Sequence, residues 1–209
     1  MANILMFDGP DGIGKTTLVD SVHDQFSGCV VPSVKLRFPT GELREKAKSG
    51  KAYLSSYEFL SDIAGGLSSA MAFSRRIICD RSFVSTMAYQ GCTMDTVKEY
   101  FPPILFNDRM FSISLFRLYM PAKGLAERIR KRNTDVVLGL KGAAGLSDEI
   151  PTEEAIARLD ERYRMVFENI TRTEPWKSNP RFRVFPVDMS HPADVCLNRV
   201  LSILDNIMF

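Results

Sequence analysis

Residues 9–16 read Gly-Pro-Asp-Gly-Ile-Gly-Lys-Thr, and no other stretch restricts the chain so tightly. The spacing is G-x-x-x-x-G-K-(S/T), in which glycines let the backbone turn its N–H groups inward around an anion. The apolar run Ile4-Leu5-Met6-Phe7 precedes it, and Thr17–Val22 follows with helix-compatible periodicity. Strand, glycine turn and helix N-terminus together make a phosphate site, because the helix dipole adds positive charge where the amides point. Gly9, Asp11, Gly12, Ile13, Gly14, Lys15, Thr16 and Thr17 are therefore expected to surround the phosphates of a nucleoside triphosphate. Lys15 is expected at the β- and γ-phosphates, and the Thr16 hydroxyl at Mg²⁺.

The remaining pattern alternates. Strands are expected at Asn3–Phe7, Val34–Phe38, Ile77–Cys79, Phe111–Tyr119 and Phe182–Val187. Helices are expected at Lys15–Phe26, Glu42–Ser49, Tyr53–Phe73, Ser85–Gln90, Thr93–Tyr100 and Ala122–Arg132. Two more run from Thr152 (capped there or by Asp148) to Arg172 and over Ala193–Ile207. Gly65-Gly66, costly inside a helix, predicts a kink or a close approach by another helix or a ligand. Strands alternating with helices predict an α/β fold, a five-stranded parallel sheet with helices on both faces. The 209 residues suit a single domain, with the Gly- and Ala-rich stretch 133–150 as a mobile lid.

Composition excludes several classes. Twenty-seven basic against 25 acidic residues give a net charge of +2, no footprint for nucleic acid or an anionic membrane. No apolar run approaches the ~20 residues of a membrane span, and the first residues read as a core strand rather than a leader. Cys29, Cys79, Cys92 and Cys196 show no metal-ligand or C-x-x-C spacing, which fits free thiols in a reducing cytoplasm. Cys79, inside an apolar run, is expected to be a buried thiol.

Asp80-Arg81 ends the third expected strand, the end at which open α/β sheets bind ligands. A carboxylate there can hold Mg²⁺ or its waters, and an arginine can clamp a phosphate with its planar fork. A capping Asp and a surface Arg are the bland alternative.

The run from Asp80 to Gly91, D-R-S-F-V-S-T-M-A-Y-Q-G, resembles the D-R-x-x-x-S-x-x-A-Y-Q-G stretch of thymidylate kinases. Residues 7–17 resemble that family's F/E-x-G-x-D-G-x-G-K-T-T, Arg37-Phe38-Pro39 its element after the second strand, and Gly124–Arg132 its arginine-rich lead into the lid. The resemblance implies a P-loop nucleoside monophosphate kinase that uses ATP and Mg²⁺ to phosphorylate a deoxynucleoside 5′-monophosphate, dTMP by default. It implies Lys15, Asp11, Arg81, Arg128 and Arg132 as catalytic residues, with Thr16 and Asp80 at the metal. Asp11, Phe38, Arg44, Phe59, Ile63, Arg81, Ser85, Thr86, Tyr89 and Gln90 fall at the acceptor, Phe59 stacking on the base and Tyr89 crowding the sugar 2′ position. The Asp188–Pro192 turn corresponds to the adenine loop. Family members are homodimers packed through helices, and Ser55–Phe73 is the expected face. On pattern alone Phe59 fits a helix core equally well, and Arg130-Lys131-Arg132 a solvated face.

Three departures bear on substrate. Thr40-Gly41 stand where the family places an acceptor-phosphate arginine, leaving Arg44 as the nearest substitute. Ile63, beside Asp62, stands where it places an arginine near the base, so another or a base-modified pyrimidine monophosphate is the alternative acceptor. Gly12 replaces an arginine of the loop, and Lys141 is the one basic residue of the long lid, so Lys141 or Arg128 must supply that charge. A deoxynucleoside kinase with Asp80 as general base, and a catalytically silent nucleotide-binding module, are the competing readings. A GTPase switch is excluded by the lack of N-K-x-D.

Overall fold

Period-two alternation along the strands divides the molecule into three layers. In β1 (Ala2–Asp8), Ile4 and Met6 belong to one core cluster, and Leu5 and Phe7 to another. The same split separates Ile77 and Cys79 from Ile78 in β3 (Arg76–Asp80), and Ile113 and Leu115 from Phe116 and Leu118 in β4 (Phe111–Tyr119). With both faces covered, the central strands β1 and β3 carry continuous apolar runs, Ile4–Phe7 and Ile77–Cys79. The computed structural model describes residues 2–28, 33–49, 55–101, 111–137, 151–174 and 176–208.

Among these residues β1, β2 (Ser33–Arg37), β3, β4 and β5 (Phe182–Asp188) form one sheet of order β2-β3-β1-β4-β5, every pair parallel. The five-stranded parallel sheet is thus as expected. One face carries α3 (Ser56–Phe73), α4 (Phe83–Gln90), α5 (Met94–Tyr100) and α7 (Glu153–Arg172), packed around Leu60, Leu67, Phe83, Val97 and Tyr163. The other carries α1 (Lys15–Gln25), α6 (Ala122–Val137) and α8 (Ala193–Met208), around Leu18, Val22, Leu125, Ile129, Val200 and Leu204. From β1 the chain goes out to the edge strand β2, returns to β3 between the two, and then crosses β1 to β4 and β5 on the other side. That reversal opens a crevice at the C-terminal ends of β1 and β3, where Asp8 and Asp80 stand.

Several boundaries move for local reasons. α3 starts at Ser56 rather than Tyr53, because Ser55 and Glu58 form a reciprocal capping box. α6 continues to Val137, past the expected lid start at Asn133; the rest of that stretch, with Lys141 and Asp148, lies outside the described residues, as does Cys29. Thr152 caps α7, accepting from the Ala155 N–H. α2 (Gly41–Ser49) follows β2 directly. Gly65-Gly66 breaks nothing: α3 runs through both, and the side chain that approaches Gly66 is the Phe38 ring. Cys79 is fully buried and unpaired, and burial pushes its thiol up. Among the described residues no helix is long and apolar enough to cross a membrane.

Candidate active site

Where α3, α4, α5 and α7 each begin with a hydroxyl side chain accepting a first-turn N–H, α1 begins at Gly14 with no side-chain cap. Its first-turn amides are thus left for an anion, as a phosphate loop requires. Lys15 folds back over the loop and donates to the carbonyls of Gly9 (3.1 Å) and Pro10 (3.4 Å). Burial, then the neighbouring Arg81, lowers its pKa to about 8. Gly12 has φ +82, and a Cβ there would meet Ile129 Cγ1 at 2.6 Å, so this backbone has no room for the arginine other loops carry at that point.

Thr16 Oγ1 donates to Asp80 Oδ2 at 2.6 Å, joining the start of α1 to the end of β3. A hydroxyl and a carboxylate side by side are hard oxygen donors. Mg²⁺ takes one or two such groups and completes its octahedron with waters and substrate phosphates, so the pair fits that ion. Among the described residues there is no cluster of three or more His, Cys, Asp or Glu that would instead suit a metal held by protein alone. Arg37, at the end of β2, reaches the same pair: Nη2 donates to Thr16 Oγ1 (2.8 Å), and Nε lies 3.2 Å from Asp80 Oδ2.

Beyond Asp11 lies a cavity of about 410 Å³. Arg81, a non-glycine residue at φ 77, projects from the end of β3, its N–H bound to the Phe7 carbonyl. Such a conformation in a bulky residue costs roughly 1–3 kcal/mol and persists only where surroundings impose it. Its guanidinium pairs with Asp11 and lies over the Tyr89 ring. Tyr89 closes the triangle by donating to Asp11 Oδ2 (3.0 Å). Desolvation pushes the Asp11 carboxyl up, but Arg81, then Lys15 and the Tyr89 hydroxyl, outweigh it and hold it below the usual carboxylate range. Desolvation, then Asp11, raises Tyr89 to about 12, so its hydroxyl stays protonated and donates.

Beneath this triangle lies Asp8, with 0% exposure. It accepts four hydrogen bonds, from the N–H (3.1 Å) and Oγ (2.6 Å) of Ser82 and from the N–H (3.1 Å) and Oγ (2.6 Å) of Ser85. Tyr163 of α7 shares a hydrogen bond with the Ser85 hydroxyl (3.0 Å) and meets the Tyr89 ring edge-on. A buried carboxylate is tolerable because the N-terminus of α4 surrounds it with donors.

A thymidylate kinase of Finegoldia magna is 29% identical over 101 residues, covering 42% of this chain and 50% of that relative. The match thus spans half the relative's length. The crystal structure of thymidylate kinase from Ehrlichia chaffeensis superposes with a TM-score of 0.55 at 19% identity, covering 98% of this chain and all of that one. The fold is that of a thymidylate kinase. No family model matches the chain.

Within this fold the expected acceptor residues converge. Asp11, Phe38, Phe59, Ile63, Arg81, Ser85, Thr86, Tyr89 and Gln90 all line the cavity, joined by Pro39 and Ser82. Arg44 does not: its guanidinium donates to the carbonyls of Pro39 (2.9 Å) and Arg37 (3.0 Å). Arg128 is spent in the same way on Ile13 O (2.8 Å) and Met189 O (3.0 Å), tying the loop to the turn after β5. Arg132 lies close enough to Asp11 to lower its pKa. Asp62 gives both oxygens to Thr40, through its N–H (2.8 Å) and its hydroxyl, and so braces the entry to α2. Sequence reasoning missed Asp8, Tyr163 and the placement of Arg37. The signal for Asp8 was a carboxylate straight after the apolar run Ile4-Leu5-Met6-Phe7, with serines three apart opening a later helix.

Proposed function

We propose that the chain transfers the γ-phosphoryl group of ATP to the 5′-phosphate of a deoxynucleoside monophosphate, with dTMP as first acceptor. One observation carries this reading: Asp11 belongs to the phosphate loop and also lines the cavity, so donor and acceptor sites share a wall. The likeness to thymidylate kinases in sequence and fold supports it.

The loop amides and Lys15 hold the ATP phosphates, and Arg81 holds the acceptor phosphate. Thr16 and Asp80 hold Mg²⁺, which supplies charge neutralisation on the phosphates. An acceptor phosphate oxygen, already anionic, attacks the γ-phosphorus. The bond to the β–γ bridging oxygen breaks and ADP departs with that electron pair, so no general base is needed. Arg132, beside Asp11, adds positive charge to this seam. Among the residues lining the cavity, Phe59 stacks on the base, Thr86 and Gln90 meet its edge, and Phe38 and Ile63 form an apolar wall. Tyr89, kept in place by Asp11, selects deoxyribose. We infer a homodimer in the cytoplasm, joined through α3, where Phe73 is 84% exposed; sedimentation at working concentration checks the mass.

The test is ADP release with ATP·Mg²⁺ and dTMP, dUMP, 5-substituted dUMPs, dCMP, purine monophosphates and thymidine. Turnover on dTMP is the expected result. A modified pyrimidine turned over faster would assign the specificity to Ile63. Turnover on thymidine alone would make the chain a nucleoside kinase, and none with any acceptor would overturn the reading.

A further inference from the structure

Arg37 stands in an unusual place for a cation. Its guanidinium contacts both Thr16 Oγ1 and Asp80 Oδ2, the two oxygens that suit the divalent ion. It shares Asp80 Oδ2 with the Thr16 hydroxyl, so one carboxylate oxygen takes both. Asp80 is 5% exposed at its side chain, and a buried carboxylate without a nearby cation is costly. Register pairs Arg37 with Asp80 across β2 and β3, which sets the two side chains at the same height on the sheet end.

We propose that Arg37 is a resident counter-cation of the Thr16–Asp80 pair, which a divalent ion must displace in order to bind. This rests on the kinase reading above and names a device within the same site. The backbone of Arg37 is fixed, since Arg44 grips its carbonyl, while the side chain is 51% exposed and can swing out. Fixed root and mobile head are what a displaceable ligand needs. Without metal the carboxylate then keeps a cation in contact, and free metal binds weakly until it arrives with nucleotide phosphates that add their own charge. The guanidinium cannot share Asp80 Oδ2 with a dication without close like-charge repulsion.

Mn²⁺ titration followed by electron paramagnetic resonance, on the whole chain without nucleotide, tests the idea. Arg37→Gln keeps a hydrogen-bonding head and removes the charge. It is expected to tighten Mn²⁺ binding by about fivefold, the scale of a half-exposed ion pair. Arg37→Lys, which keeps a cation, is expected to stay near the wild type. Asp80→Asn is expected to abolish the signal, showing that the titration reads this site. Equal or weaker Mn²⁺ binding in Arg37→Gln overturns the proposal, as does Arg37→Lys binding as tightly as Arg37→Gln, or Asp80→Asn binding unchanged. Thermal melts establish that the variants are folded. The titration needs no turnover, so failure of the kinase reading shows separately, in the acceptor panel.

Discussion

The two halves of the proposed site, for phosphoryl donor and for acceptor, are made from different materials. The donor half is backbone: the amides of the loop and first turn of α1, with Lys15 lying on the carbonyls of Gly9 and Pro10. The acceptor half is side chains from β3, α3 and α4, held by a second tier in which Asp8 takes four donors from Ser82 and Ser85. A backbone site follows from a local motif and stands nearly alone. A side-chain site depends on packing between distant segments, so its specificity can drift while its chemistry persists. Changes in the donor half should therefore slow every acceptor alike, and those in the acceptor half should change which acceptor is used.

The largest effect expected is Lys15→Ala, which removes the side-chain cation lying on the loop carbonyls of Gly9 and Pro10 and proposed above to hold the ATP phosphates. Steady-state kinetics should show kcat lower by about 10²–10³-fold with every acceptor and acceptor KM little changed. A loss that varied strongly between acceptors would break the division.

Asp8→Asn probes the second tier. The amide turns one of its ends, a donor, toward donors of Ser82 and Ser85, leaving buried groups unmatched. Denaturant unfolding should show a loss of about 2–3 kcal/mol. Because Ser82 follows Arg81, acceptor KM should rise while ATP affinity holds. Falling ATP affinity instead would mean the two halves share a foundation.

The Lys15 pKa offers a probe without mutation. Burial lowers it to about 8 in the nucleotide-free chain, and bound phosphates favour the charged form and raise it again. The protonated form is the one that binds. ATP affinity should hold below pH 8 and fall by about tenfold per unit above it, until the bound-state pKa is reached. Calorimetric titrations from pH 7 to about 9.5 would show the break, and a flat profile would place Lys15 outside ATP binding. For folding the sign is opposite: between about 8 and the unfolded value of 10.5 the unfolded chain holds more protons, so this group's contribution to stability rises with pH.

The same contrast explains what could be read from the chain beforehand. The five strands, the loop and the C-terminal position of Asp80 follow from local patterns, and the structure contains them with ends shifted by a residue or so. Phe59 shows the limit of periodicity: it fitted a core or a cavity, and only the approach of α3 to α4 puts it at the cavity. Arg44 and Arg128 show a second limit of spacing. A guanidinium has five donors, and here the carbonyls of Pro39, Arg37, Ile13 and Met189 take some of them, a contact no spacing reveals. Asp62, beside Ile63 in sequence, is not among the residues lining the cavity and braces Thr40 instead.

The adjacent glycines of α3 give the finest comparison within the acceptor half. A Cβ on Gly66 would lie 2.8 Å from Cε1 of Phe38, a cavity-lining ring that would have to shift. A Cβ on Gly65 meets nothing within 4 Å. Alanine at either position gains helix propensity worth about 0.5–1 kcal/mol. At Gly65 that gain stands alone, so Gly65→Ala should stabilise by that amount and leave kinetics untouched. At Gly66 overpacking of roughly 1–3 kcal/mol opposes it, so Gly66→Ala should destabilise by about 1 kcal/mol. The displaced ring should also raise acceptor KM at constant ATP affinity. If Gly66→Ala were as benign as Gly65→Ala, the Phe38 ring would be loose rather than wedged, and the cavity wall it forms would be adaptable to more than one base.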